Sequence, residues 1–212
     1  MDAAALEEFL QRVGREGELE WAQGRTLAEV WRESPSGFFL IQLAVEAGMA
    51  RRRVMRALFA CVRPMLKYTL VEGPSYEPLD TPCMSIALDV AEAWAQCIPG
   101  AEFDAVKELA VQAKDAANVV DCMQGYAQTP YAPGAVSAAL AISYAMEAAC
   151  EESASECLNK VGWARFYSGS ATAAQHGYSE ESRREFDETC ARVVRELIRA
   201  EDVATAAENS QG

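Results

Sequence analysis

A chain of 212 residues, 50% hydrophobic and 24% charged, is long enough to fill one core and has the balance of a soluble globular protein. Its formal net charge of -13 turns the surface as a whole away from nucleic acid and anionic lipid and toward basic partners, besides keeping the chain in solution. Seven cysteines, an odd number with no C-x-x-C pair, and a polar N-terminus predict free thiols in a reducing cytoplasm rather than a disulfide scaffold.

The first element is a short amphipathic stripe, Leu6, Phe9, Leu10 and Val13, ended by Gly14 and Gly17. Thr26-Leu27-Ala28-Glu29 has the spacing of a capping box, and the helix it opens turns Leu27, Val30 and Trp31 inward. Ser34 to Gly37 then breaks the chain. Phe38 to Val45 is apolar almost all the way round, with only Gln42 and Glu46 as a thin polar seam. A helix of that kind must be covered on most sides, so it is the expected centre of the fold. Gly48 closes it as a left-handed cap.

The next helix begins at Arg51-Arg52-Arg53 and carries Val54, Leu58, Cys61, Val62 and Met65 on one face; Pro64 must kink or end it. Residues 71–82 form the longest expected loop, closed by Thr81-Pro82 as a cap with proline in the first turn. Ala87, Val90, Ala91, Trp94 and Ile98 line a further helix that stops at Pro99-Gly100. Phe103 to Val120 gives a long stripe, and Thr129 to Gly134 a second break. Val136 to Cys150 is rich in small residues and nearly free of charge, so it is expected to be buried. Glu151 to Glu156 separates it from Leu158 to Phe166, and the periodicity leaves the helical state of Ser168 to Ser179 open. Ser179-Glu180-Glu181 caps the last expected helix, and the polar tail from about Asp202 is expected to fray. Abundant alanine and the absence of alternating β-branched runs predict an all-α fold: a single compact bundle of eight to nine helices over residues 1–201, followed by the tail 202–212.

The catalytic signatures are missing. His176 is the single histidine and has no flanking pattern, which leaves no Ser-His-Asp site, no paired Glu-x-x-His and no H-E-x-x-H. Cys150 and Cys157, and likewise Cys83 and Cys97, stand at helical spacing without a third or fourth ligand, so inert core thiols are expected and no metal or cofactor. Adjacent acids such as Glu151/Glu152 and Glu180/Glu181 point apart on a helix and read as solvated faces rather than acid–base pairs. Against the acidic background, Arg51, Arg52, Arg53, Arg56, Arg63 and Lys67 occur with no acid between Ala47 and Val71. Three readings of this cluster stand open: an anion or small-molecule site, one half of a partner interface, or cations that pair with acids of neighbouring helices. Trp163-Ala164-Arg165-Phe166-Tyr167 has the composition of an interface hot spot, and equally that of a seam between two helices.

The run Thr26 to Trp31, the segment Ser34 to Gly48, the stretch Arg51 to Pro64 with Ala60-Cys61-Val62-Arg63-Pro64, and the Ala-rich Ile86 to Ala95 with its Glu-Ala-Trp centre resemble an all-helical bacterial family of immunity proteins, some of them encoded near polymorphic toxins. The resemblance spans about residues 26–165. It departs in a longer 71–82 loop and fewer histidines, and it carries no catalytic motif. It implies a non-enzymatic, cytoplasmic inhibitor that binds a toxin or effector, with no membrane or direct nucleic-acid contact. An acidic surface would steer a basic partner in, and Glu151, Glu152, Glu180 and Glu181 are the expected contacts. A second reading makes the acidic face a nucleic-acid mimic that blocks a defence or DNA-processing enzyme. A third is an anion-binding protein built on Arg51, Arg52, Arg53 and Arg56.

Overall fold

The structure is a computed structural model that describes residues 1–12, 20–69, 82–126, 134–175 and 179–210, and all regular elements in them are helical. The protein is all-α. In chain order the helices are α1 (Ala3–Arg12), α2 (Leu27–Glu33), α3 (Gly37–Glu46), α4 (Arg51–Val62), a 3-10 turn (Arg63–Met65), α5 (Leu66–Thr69), α6 (Pro82–Ala95), α7 (Phe103–Tyr126), α8 (Ala135–Cys150), α9 (Ala154–Gln175), α10 (Glu180–Leu197) and α11 (Ala200–Asn209). Val13, Gly14, Gly17, the 71–81 part of the long loop, the 129–133 part of the second break and His176 lie outside the described residues.

These eleven helices correct the expected eight to nine, and two elements account for the difference. Pro64 ends α4 at Val62 instead of bending it, and after the 3-10 turn the chain starts the separate one-turn helix α5. The tail expected to fray from Asp202 forms α11, with Val203 and Ala207 one turn apart and both buried. In a segment otherwise polar, that single pair is too sparse a signal to read as an amphipathic face.

Local chemistry sets the boundaries. The Thr26 hydroxyl accepts from the Glu29 amide at 3.3 Å while the Glu29 carboxylate accepts from the Thr26 amide at 2.8 Å, which completes the capping box of α2. Ser36 caps α3 through the Phe39 amide at 3.3 Å. At its other end Gly48 takes φ +76°, and the Met49 and Gly48 amides return to Ala44 and Val45, closing α3 in a Schellman turn. The same turn ends α6, but there Cys97 holds the left-handed position, at φ 58°, rather than Gly100.

Two helices are buried along their lengths. In α3 the whole run from Gly37 to Ala44 is inside, Gln42 included, and α3 is covered by α4, α9 and α10. In α8 the buried positions run from Ala135 to Ala149 and are mostly alanine, so α7 and α9 approach closely on either side. Helix α4 bridges the two, packing on α3, α6, α8 and α10. One continuous hydrophobic cluster joins Leu6 and Leu10 of α1 through Phe38, Phe59, Leu88 and Ile142 to Ile198 and Val203 near the C-terminus. Each large side chain in it contributes about 2–3 kcal/mol by leaving water. Trp31 and Trp94 belong to this core, while Trp21 is half-buried and lies edge-on to Phe39 at 6.5 Å.

Candidate protein-binding surface

The arginines of α4 lie at its surface and mostly reach across to neighbouring helices. Arg51 donates to the Glu151 carbonyl at the end of α8. Arg52 lies 5.2 Å from the Trp94 ring and donates to the Cys97 thiol at 3.2 Å. Arg53 bonds Asp202 of α11 at 2.7 Å, and Arg199 joins the same carboxylate at 3.4 Å. These bonds hold the Asp202 carboxyl below its ordinary range. Just past α4, Arg63 bonds Asp89 at 2.7 Å and Glu92 at 3.2 Å on α6, and Lys67 sits over Tyr68 at 4.6 Å. Arg52, Arg56 and Lys67 are exposed and make no ion pair among the described residues, and Arg56 alone of the six has no hydrogen bond or ring contact among them either. Arg51, Arg52, Arg53 and Arg63 therefore staple α4 and the turn after it to α6, α8 and α11.

The four acids proposed as contacts are not gathered into one patch. Glu151 is the half-buried cap of α8 and Glu152 is exposed beside it. Glu180 and Glu181 are exposed in the first turn of α10, where Ser179 accepts from the Ser182 amide at 3.2 Å. The 22 residues of α9 separate the two pairs, and such a helix spans roughly 33 Å.

What the structure does gather is aromatic. Tyr144 of α8 and Trp163 and Tyr167 of α9 have ring centroids 5.6 to 5.9 Å apart, with planes tilted 4° to 29°. Phe166 stands across this tile, at 89° to Trp163 and 80° to Tyr167. Tyr144 and Tyr167 form the seam between the helices. Trp163 and Phe166 project from it, 43% and 59% exposed. Burial, with Tyr144 and Asp121 nearby, pushes the Tyr167 phenol up. Glu147 anchors one flank, bound by Lys160 and, at 3.2 Å, by Lys114.

Beside Phe166 a cleft of about 360 Å³ runs between α9 and α10. Its walls include Phe166, Arg183, Phe186 and the Arg165–Asp187 ion pair at 2.8 Å. Burial raises the Asp187 carboxyl and the Arg165 charge opposes that rise. Gly162 and Gly169, two turns apart, line the same cleft. A β-carbon at Gly162 would meet nothing within 4 Å, and one at Gly169 only the Arg183 side chain at 3.9 Å. Neither glycine is required by internal packing, yet each costs α9 about 1 kcal/mol relative to alanine. The missing side chains leave open space toward solvent, next to two exposed aromatic rings.

Comparison of the chain with protein-family models, curated proteins and solved structures gives no match. Among the described residues no helix is long and apolar enough to cross a membrane, and no group of three or more His, Cys, Asp or Glu side chains is placed to hold a metal ion. The sequence reading of residues 163–167, as a hot spot or equally a seam, took in Trp163, Phe166 and Tyr167 together. It missed Tyr144, which reaches the tile from another helix, and the two glycines. Their signal was a seven-residue spacing that runs from the Leu158 to Phe166 segment into Ser168 to Ser179, whose helical state the sequence left open.

Proposed function

We propose that this is a non-catalytic cytoplasmic protein that acts by binding another protein, and that the Trp163–Phe166 ridge with the cleft beside it is the contact. The observation that carries the reading is the pairing of two exposed aromatic side chains with two helix-interior glycines whose lost stability has no internal return. Exposed Trp and Phe beside a notch supply what an interface centre needs: large apolar area and room for the partner's atoms to approach. The resemblance to bacterial immunity proteins supplies the class of partner, a toxin or effector. The net charge of -13 favours a basic one, with Glu151, Glu152, Glu180 and Glu181 steering its approach from the two ends of α9 rather than anchoring it.

The test is affinity capture and binding measurement with the tagged full-length chain in its own host. Trp163→Ala/Phe166→Ala is expected to lose the partner bound by the native chain while keeping its helical circular dichroism. Glu152→Lys/Glu180→Lys is expected to slow association with little change in dissociation. Unchanged affinity in the double alanine variant, or no protein partner and no protection against a neighbouring toxin, would overturn the reading.

A further inference from the structure

Helices α4 and α10 cross with two cysteines face to face. The Cys61 sulfur lies 3.8 Å from the Cys190 carbonyl oxygen, and the Cys190 sulfur lies 4.0 Å from the Cys61 carbonyl oxygen. Both thiols are free and buried. Met65, in the 3-10 turn that Pro64 imposes, is buried as well. Cys61, Met65 and Cys190 all line one half-open cleft of about 240 Å³ between α4, α5, α9 and α10, with Lys67 and Glu185 also in its wall.

We propose that Cys61, Cys190 and Met65 form a binding site for a soft monovalent cation, Cu(I). Thiolate and thioether donors select Cu(I), whereas zinc calls for four nitrogen, sulfur or carboxylate ligands in a tetrahedron. Among the described residues no set of three His, Cys, Asp or Glu side chains stands here, and the third sulfur belongs to a methionine. Binding forms two Cu–thiolate bonds and breaks two S–H bonds. Two protons leave to solvent, and neither copper nor sulfur changes oxidation state. The resulting bis-thiolate complex carries one net negative charge. The site is independent of the ridge on α9 and of any partner bound there.

The test is an anaerobic titration of the reduced full-length chain with Cu(I) against the competing chelator bicinchoninate. A single equivalent is expected to be withheld from the competitor by the native chain and by Cys97→Ser. Cys61→Ala and Cys190→Ala are expected to lose it, and Met65→Leu to hold it more weakly than the native chain. X-ray absorption on the Cu(I)-loaded native chain reads the ligands without relying on a core variant's folding, and a first shell of sulfur alone is expected. No equivalent withheld, a first shell containing nitrogen or oxygen, or equal retention by folded Cys61→Ala and Cys190→Ala would overturn the site.

Discussion

Gly37 rests against the backbone of Cys190, so closely that a β-carbon on Gly37 would stand 2.3 Å from the Cys190 carbonyl carbon and 2.5 Å from the Ala191 nitrogen. The first turn of α3 is thus seated directly on α10. Those two atoms are main chain and the third, the Cys190 β-carbon at 2.6 Å, is fixed to it, so no side chain can swing aside. Gly37→Ala must push the two helices apart and loosen the packing around Phe38. The expected loss is about 3 kcal/mol or more, read as a lower urea midpoint.

A second tie binds the same region. Arg195 of α10 donates to the Trp31 carbonyl at 2.8 Å and to the Ser34 carbonyl, satisfying half-buried carbonyls at the end of α2, while the Trp31 indole donates to the Ile198 carbonyl at 3.2 Å. Burial holds the Arg195 guanidinium below its ordinary pKa without neutralising it. Arg195→Met keeps the stem and removes the donors, leaving half-buried carbonyls unpaired. It is expected to cost about 2 kcal/mol in equilibrium unfolding, and Arg195→Lys, which lacks the planar fork, most of that.

Much of this architecture could be read from the residues. The Thr26–Glu29 box, the Ser179 cap and the left-handed Gly48 are short-range chemistry, fixed by neighbours three or four residues away. The buried courses of α3 and α8 follow from their lack of polar faces. What escaped was set by contacts distant in sequence. Tyr144 meets Trp163 only because α8 and α9 lie side by side, and Arg53 meets Asp202 only because α11 folds back onto α2 and α3, beside the start of α4. Cys97 shows the same limit locally: its left-handed backbone falls where glycine is usual, and the sequence pointed to Gly100 instead.

The glycines of α9 give a prediction with opposite signs for folding and binding. Gly162→Ala and Gly169→Ala meet no obstruction, so each is expected to stabilise the chain by about 0.5–1 kcal/mol. That is a rise in melting temperature of about 2–4 °C per kcal/mol for a chain of this size. The added methyl groups narrow the cleft, so affinity for the partner should fall while stability rises. Stabilisation with unchanged affinity would show that the notch is not used.

The Asp202 bridge makes the docking of α11 depend on pH. Its carboxyl is held below the ordinary aspartate range in the folded chain, chiefly by the Arg53 hydrogen bond and also by Arg199. In the interval between the unfolded and folded pKa values the unfolded chain binds more protons, so stability rises with pH there. The contribution is complete above the ordinary aspartate pKa and is lost as pH falls through the lower folded value. Amide exchange in α11 should accelerate relative to α8 across that acid interval. In Asp202→Asn the α11 amides should exchange faster at neutral pH and show little of this acid dependence.

The claim that the α9 ridge is where another protein sits is tested most directly by position-specific photocrosslinking in the host cell. A photoreactive phenylalanine analogue at Phe166 is expected to trap one discrete protein, and the same analogue at Trp163 is expected to trap that protein too. Placed at Ile86, an exposed hydrophobic position on α6, it should trap none of it. Capture from Ile86 but not from Phe166 or Trp163 would contradict the account and move the interface to another face of the molecule.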